Sequence, residues 1–161
     1  MAKRAWSDII TYERNRMQIV PKLEDTMLKY KQYEKDVLTD ITKLRQAAQS
    51  LDKSNIDISK LAEFEKLAST LSPKISLQAE NYPALSSSQL YIQFMQDWKD
   101  CQENVSAAIS SYNQTVQQFN DKLMIFPSNI VNDIFLKRNK LEVFDDAEVS
   151  KDFLSYKPNF Y

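Results

Sequence analysis

Apolar residues recur along the chain at alternating spacings of three and four, which is typical of long amphipathic helices. The first stripe predicts one helix from Trp6 to about Leu51, on the order of 70 Å long at 1.5 Å per residue. Pro21 removes one backbone hydrogen bond within it, so we expect a kink there. The stripe keeps its phase across Pro21, which favours one bent helix. Its apolar members are Trp6, Ile9, Val20, Leu23, Met27, Tyr30, Val37, Ile41, Leu44, Ala48 and Leu51.

A second helical segment is predicted after a loop at residues 52–55. Ser72 and Pro73 have the pattern of a helix start, which leaves open two short helices in series. Pro83 is expected to stop the segment, because the residue before a proline is pushed out of the helical region. The apolar face consists of Leu61, Phe64, Ala68, Leu71, Ile75, Ala79 and Tyr82.

A third helix is predicted from an N-cap at the serines of residues 86–88 to about Phe126. Pro127 ends it, and a short fourth helix follows through Phe135. Short connections between long amphipathic helices favour antiparallel neighbours. We therefore predict an all-α fold, an antiparallel up-and-down four-helix bundle over residues 1–136, with an irregular C-terminal tail over residues 137–161. The third stripe comprises Tyr91, Phe94, Trp98, Cys101, Val105, Ala108, Tyr112, Phe119 and Phe126, widened by Ile109, Val116 and Leu123.

The composition of the 161 residues removes several classes of function. There is no histidine, no glycine and a single cysteine. Without histidine, Ser-His-Asp catalysis and imidazole-bound zinc are excluded. Without glycine, phosphate-cradling loops are excluded. The lone thiol of Cys101 has no neighbouring base in sequence, and we expect it to pack in the core. We predict no catalytic residues and no cofactor, and only carboxylate, lysine or tyrosine chemistry would remain for an enzyme.

The charge balance gives no indication of a nucleic-acid partner. Lys and Arg number 21 against 22 Asp and Glu, and no basic block is present. The sequence pI is about 5.6 and the mean hydropathy is −0.51. No apolar run approaches the roughly 20 residues that span a bilayer. We expect the chain as given to be soluble.

Three charged residues interrupt the first stripe: Glu13, Arg16 and Glu34. Buried charges persist when they are paired, so we interpret Glu13 and Arg16 as an intrahelical pair that fixes helix register, with ligand contact as the alternative. Glu34 is interpreted in the same way, with Tyr112 or Asn113 as its partner. A metal site of carboxylates is not expected, because the helical di-iron pattern requires Glu-x-x-His pairs.

Asn113 and Asn120 are seven residues apart and therefore share one helix face. We expect them to bond backbone groups that Pro21 leaves without partners, with partner recognition as the alternative. The tail is unusually apolar for a segment without periodicity. It is expected to fold back over a groove of the bundle, or else to dock as an arm on a partner or a second copy. Its apolar residues are Leu141, Val143, Phe144, Phe153, Leu154, Tyr156, Phe160 and Tyr161.

Several ordered motifs resemble the LemA family of bacterial envelope proteins over nearly the whole chain. Lys22 stands where the family has an asparagine, and Tyr33 stands where it has a histidine. The matching motifs are Ala5-Trp6-Ser7, Ile19-Val20-Pro21-Lys22-Leu23, Glu34-Lys35-Asp36-Val37-Leu38, Glu80-Asn81-Tyr82-Pro83-Ala84-Leu85, Tyr112-Asn113, Phe119-Asn120 and Phe126-Pro127-Ser128-Asn129-Ile130-Val131.

The resemblance implies a four-helix bundle behind an N-terminal membrane anchor, and no established enzymatic activity. The chain begins close to the family's Ala-Trp motif, so we expect it to be a soluble part of an anchored protein, on an undetermined side of the membrane. Our hypothesis is a non-enzymatic scaffold or adaptor in the bacterial envelope, with a protein partner of unknown identity. The alternative is a structural or membrane-shaping protein that assembles with copies of itself as a homo-oligomer.

Overall fold

The computed structural model describes residues 1–30, 35–125 and 132–144, and all regular elements within these ranges are helical. None of the helices in these ranges combines the length and the apolar character needed to cross a membrane. The elements are α1 (Ala2–Tyr30), α2 (Lys35–Gln49), α3 (Ile58–Glu80), α4 (Pro83–Ser86), α5 (Gln89–Met124) and a π-helical turn (Asn132–Leu136).

The first apolar stripe belongs to two helices that run alongside each other. Arg45 on α2 forms an ion pair of 2.5 Å with Glu24 on α1. Twenty-one residues of one straight helix would hold these side chains about 31 Å apart. The indole nitrogen of Trp6 also donates to the carbonyl of Asp52, at 2.8 Å, so the chain after α2 has returned to the start of α1. The predicted single helix from Trp6 to Leu51 is therefore wrong.

Prolines inside α1 and α3 do not end these helices. α1 continues through Pro21, and α3 continues through Pro73. Both prolines are exposed, so water can satisfy the carbonyl that each leaves without an amide. The alternative of two short helices around Pro73 is wrong. α3 ends at Glu80, and Pro83 occupies the first turn of α4, where its missing amide costs nothing.

α1 and α5 lie antiparallel along most of their length. The rings of Trp6 and Tyr112 meet edge to face, with their centroids 5.9 Å apart. Ten residues further along α1, Arg16 meets Gln102, which is ten residues earlier on α5. This register places the start of α1 beside residue 116, so about eight residues of α5, or about 12 Å, extend past it. We call this projecting end of α5 the overhang (residues 117–124).

The three predicted apolar stripes form one hydrophobic core. Most of the stripe residues that the structure describes are buried in it. The half-buried members are Ala48, Tyr82, Tyr91, Cys101, Phe119 and Leu123, and the side chains of Tyr30 and Phe126 are outside the described part of the chain. Phe144, far along the chain, is only 4% exposed and joins the same core. The described part of the predicted tail, residues 137–144, therefore folds back on the helices. Residues 145–161 lie outside the described residues.

The chain after α5 differs in detail from the prediction. α5 ends at Met124, two residues before the predicted end. Pro127 and the predicted start of the fourth helix lie outside the described residues. Where the rest of that helix was predicted, the structure has the π-helical turn, which closes through a bond from the Lys137 amide to the Asn132 carbonyl. Lys137 has a φ of 45°, which is the left-handed conformation that glycine adopts most easily. This chain has no glycine, so a lysine adopts it here.

Candidate functional site

The guanidinium of Arg16 is fully buried where α1, α3 and α5 meet. Its Nε and Nη2 donate to both carboxylate oxygens of Glu13, one turn earlier on α1, at 2.7–3.0 Å. Nη2 also donates to Glu65 on α3, and Nη1 donates to the side-chain oxygen of Gln102 on α5, at 2.5 Å. We call these four side chains the arginine cluster. One side chain of α1 thus holds polar groups from two other helices.

Two aromatic rings line the arginine cluster. The guanidinium carbon of Arg16 lies 5.6 Å from the ring centroid of Phe64 and 5.4 Å from that of Trp98. Both distances are within the range at which a cation is attracted to the face of a ring. The planar group is therefore hydrogen-bonded at its edges and packed against aromatic side chains.

The electrostatics of the cluster favour a proton on one carboxyl group. Burial raises the pKa of Glu13 well above its ordinary value, and the neighbouring carboxyl of Glu65 acts in the same direction, while Arg16 opposes both. Burial alone would lower the pKa of Arg16, but the two carboxylates outweigh it and the pKa is raised. Arg16 supplies one positive charge to the two buried carboxyl groups of Glu13 and Glu65. A proton on Glu13 therefore removes a negative charge that no second cation balances.

Sequence reasoning identified part of this cluster. It predicted the pairing of Glu13 with Arg16, and the structure shows that pair. It missed Glu65 and Gln102. Glu65 follows Leu61 by four residues, so it lies on the second apolar stripe, a signal that could have found it. Glu34, assigned a similar role, lies outside the described residues.

Asn113 and Asn120 hold the backbone of the C-terminal segment. Asn120 accepts from the amide of Leu141 and donates to its carbonyl, both at 3.0 Å. Asn113 does the same with Phe144, at 2.8 and 2.7 Å. We predicted that these side chains would bond backbone groups near Pro21, and that prediction is wrong. The nitrogen and the oxygen of each side-chain amide are bonded to the C-terminal segment instead.

The spacing of the two asparagines matches the spacing of the residues they hold. Seven residues of helix rise about 10.5 Å, and three residues of extended chain cover about 10 Å. Two asparagines seven apart can therefore bond residues three apart on a segment running the other way. Tyr112 adds a fifth hydrogen bond to this segment, from its hydroxyl to the carbonyl of Glu142, at 3.2 Å. We call Asn113 and Asn120 the asparagine pair.

An apolar groove of about 750 Å³ lies between α3 and α5. Pro73 lines it from α3, and Ile92 and Met95 line it from α5. At its floor are Trp98 and Gln102, which also contact Arg16. Ile92 is 49% exposed, so the groove opens to solvent. We call this cavity the α3–α5 groove.

The side chains of the arginine cluster favour structure over chemistry. Glu13, Arg16 and Glu65 are each at most 3% exposed, so a substrate in solvent does not reach them. Within residues 1–30, 35–125 and 132–144, no three His, Cys, Asp or Glu side chains are grouped as a metal site would require. Burial also raises the pKa of Cys101, which lowers its thiolate fraction. Among the described residues, the α3–α5 groove is an apolar surface that is open to another molecule.

Comparison with known proteins places the chain in a family. It is 30% identical over 131 residues to Protein LemA of Metamycoplasma hominis, a match that covers 80% of this chain. The chain spans 58% of the length of that relative. No solved structure matches it significantly. The LemA family model matches residues 5–153, nearly the whole sequence, and the chain therefore belongs to the LemA family.

Proposed function

We propose that this domain is a non-enzymatic, membrane-tethered adaptor of the bacterial envelope, which presents the α3–α5 groove to an apolar segment of a partner protein. The proposal rests on the positions of two features at opposite ends of α5. The overhang lies at the end of the molecule where α1 begins, and the groove lies near the other end of the same helix.

The end that carries the overhang has the surface chemistry of a membrane-facing tip. Its exposed apolar side chains are accompanied by four basic side chains, which are too few for a basic block and alternate along the chain with Asp121, Asp133 and Glu142. Apolar groups beside Lys and Arg favour contact with an anionic bilayer surface. An N-terminal anchor preceding α1 would bring this tip to the membrane. The apolar residues are Met124, Ile125, Ile134 and Leu136, and the basic ones are Lys122, Lys137, Arg138 and Lys140.

The groove is held away from that tip by a rigid spacer. Met95 and Met124 are 29 residues apart on α5, which corresponds to about 43 Å. We propose that α1, α2, α3 and α5 act as an antiparallel four-helix bundle that fixes this distance. Exposed apolar surface of this kind is typical of protein-interaction sites. Binding at a fixed height above a membrane is a task for an adaptor.

The test is site-specific photocrosslinking of the full-length anchored protein in its native cells. A photoreactive residue at Ile92 is compared with one at Leu28, an exposed leucine on α1 outside the groove. We expect one stoichiometric partner from position 92 and not from position 28. Binding of that purified partner should then be lost in Ile92→Asp and kept in Leu28→Asp.

Other outcomes would contradict the proposal in different ways. Crosslinks only between copies of this chain would favour the self-assembly function instead. Equal capture from positions 28 and 92 would remove the groove as the binding surface. Turnover of a substrate by the purified domain, without any added protein, would contradict the non-enzymatic role.

A further inference from the structure

Gln102, at the floor of the α3–α5 groove, has a side-chain amide whose oxygen is held by Arg16. The residue is half-buried and lines the groove, and its Oε1 accepts from Nη1 of Arg16. An arginine only donates, so this bond fixes the oxygen towards Arg16 and leaves the amide nitrogen, Nε2, on the other branch. Within residues 1–30, 35–125 and 132–144, no acceptor is bonded to that nitrogen. The groove therefore offers hydrogen-bond donors at its floor.

We propose that the groove binds a proline-rich segment of the partner in a polyproline II conformation, with a proline carbonyl accepting from Nε2 of Gln102. This specificity rests on the adaptor function, since it names the chemistry of the segment that the groove receives. Three features of the described residues support it. They are the way α5 already holds an extended segment, the half of the Gln102 amide that Arg16 leaves available, and the dimensions of the groove.

α5 already holds an extended segment of this chain through side-chain amides. Asn120 and Asn113 each bond the N–H and the C=O of one residue, and these residues are Leu141 and Phe144. In a β-strand, residues three apart turn these backbone groups to opposite sides. In a polyproline II helix, which has three residues per turn, they share a side. The bonded residues are three apart, so the segment has the polyproline II repeat where it lies on α5.

The face of α5 that carries the asparagine pair continues into the groove. Gln102 and Met95 precede Asn113 by 11 and 18 residues. At about 100° per residue, both lie within about 20° of its direction. Both also line the groove. A segment bonded to Gln102 thus lies on the face of α5 that binds the chain's own segment at Asn113.

The bond to Arg16 makes Gln102 select for proline. Asn113 donates to the carbonyl of Phe144 and accepts from the N–H of the same residue. Gln102 can only donate to a segment in the groove, because its oxygen is already held by Arg16. Any other residue bonded there through its carbonyl would bring an N–H into an apolar groove, where an unpaired N–H is unfavourable. Proline has the carbonyl and lacks the N–H.

The dimensions and the lining of the groove suit such a segment. Residues 91–102 of α5 span about 17 Å, which is the length of five or six polyproline II residues. The groove of about 750 Å³ therefore has a mean cross-section of about 45 Å². An α-helix about 10 Å across has nearly twice that cross-section, so the groove would cover only half of it. Proline rings would pack against an apolar lining that includes Pro73, Ile92 and Met95.

The first experiment titrates the complete, ¹⁵N-labelled chain with a capped peptide of nine prolines. We expect the side-chain amide signals of Gln102 to shift with saturation, at a Kd below about 1 mM. The indole signal of Trp6, whose nitrogen is bonded to the carbonyl of Asp52, should stay unchanged. No saturable shift up to about 10 mM peptide would overturn the proposal. Tighter binding of an amphipathic helical peptide of leucine and lysine would also overturn it, because the occupant would then be a helix.

Variants of two glutamines test the donor at the floor of the groove. Gln102→Glu keeps an oxygen for Arg16 and removes the N–H groups, so we expect the Kd for the proline peptide to rise by at least ~5-fold. Gln96→Glu is the matched control, because Gln96 also lines the groove but its amide nitrogen donates to Asp100. Its Kd should stay within about 2-fold of the wild-type value.

A second substitution covers the case in which Gln102→Glu does not fold. Gln102→Met removes the same donors without adding a charge to the arginine cluster, and it should weaken binding of the proline peptide to the same extent. Wild-type affinity in either folded variant of Gln102 would overturn the proposal.

Failure of proline recognition is distinguishable from failure of the adaptor function. The titration contains no partner protein, and the crosslinking in cells contains no added peptide. A partner captured from position 92, together with no binding of the proline peptide, would remove proline recognition and leave the adaptor function. Binding of the proline peptide without any captured partner would do the reverse.

Discussion

At the scale of the residue, Arg16 is the side chain on which three helices depend. Its guanidinium bonds Glu13, Glu65 and Gln102 and packs against two aromatic rings. An arginine serves here because its planar fork offers donors in several directions, which the ammonium of a lysine does not. The cluster fixes the register of α1 against α3 and α5.

Replacing Arg16 should be far more damaging than replacing an exposed arginine. Arg16→Met leaves two buried carboxyl groups without their cation, and we expect a loss of about 3–5 kcal/mol in the free energy of unfolding. Arg45→Met is the matched control, since Arg45 is 42% exposed and pairs with Glu24 at the surface. Its loss should stay within about 1 kcal/mol. Urea unfolding of both variants measures the difference, and equal losses would contradict the structural role of the cluster.

The raised pKa of Glu13 predicts a pH dependence of stability. The folded protein binds this proton more tightly than the unfolded chain, whose ordinary pKa is 4.5. Its contribution is therefore fully present below pH 4.5 and is lost as the pH rises through the folded pKa. Relative to Glu13→Gln, the wild-type protein should lose stability as the pH is raised above 4.5. Urea unfolding across this range tests the sign, and parallel profiles for the two proteins would contradict it.

Only the local half of this cluster could be predicted from the sequence. Glu13 and Arg16 are three residues apart on one helix, so their contact follows from helix geometry alone. Glu65 and Gln102 are 49 and 86 residues from Arg16, and their contact depends on how the helices pack. Periodicity specifies which face of a helix is buried, but it does not specify which faces meet.

At the scale of the element, the apolar stripes predicted the helices better than the places where the chain reverses. Turn prediction depends on glycine and proline, and this chain has no glycine. Its prolines at positions 21 and 73 lie on exposed faces of continuous helices. In the sequence they have the pattern of a helix end, but neither helix ends there. Between α1 and α2 the apolar spacing stays in phase, so the reversal has no signal in the pattern.

The asparagine pair is the element-scale device that attaches the C-terminal segment to α5. Asn113→Ala and Asn120→Ala each remove two hydrogen bonds and leave half-buried backbone groups without partners. We expect each change to cost about 1–3 kcal/mol in the free energy of unfolding and to remove the hydrogen-exchange protection of the Phe144 or Leu141 amide. Asn104→Ala, at an exposed position of α5, is the control and should change stability by less than about 0.5 kcal/mol. Unaltered amide protection in both variants would contradict this assignment.

At the scale of the whole molecule, part of the predicted tail belongs to the helical core. Residues 1–136 were predicted as the bundle, with the tail either packed on it or extended. Phe144 is 4% exposed within the core, and Leu141 packs against it. The sequence indicated that the tail was apolar. It could not show which surface receives it, because that surface is built from helices far apart along the chain.

Two truncations separate the packed part of the tail from the rest. Ending the chain after Leu136 removes Phe144 and its bonds to Asn113, and we expect the melting temperature to fall by on the order of 10 °C. Ending the chain after Phe144 keeps this side chain and its bonds to Asn113, so the melting temperature should fall by only a small part of that amount. Differential scanning calorimetry measures the two values. Similar melting temperatures for both truncated chains would contradict the place of Phe144 in the core.

The asparagine pair recognises its segment through main-chain atoms only. Each amide bonds the N–H and the C=O of one residue, so any side chain satisfies it, and only proline, which lacks the N–H, is excluded at positions 141 and 144. The hydrogen bonds of the pair therefore place almost no demand on the sequence of the segment, and the demand at positions 141 and 144 comes from the core, which buries Phe144 and packs against Leu141. Mutation can alter what this arm displays while its path along the helix stays the same, and an engineered peptide could be grafted there on the same terms.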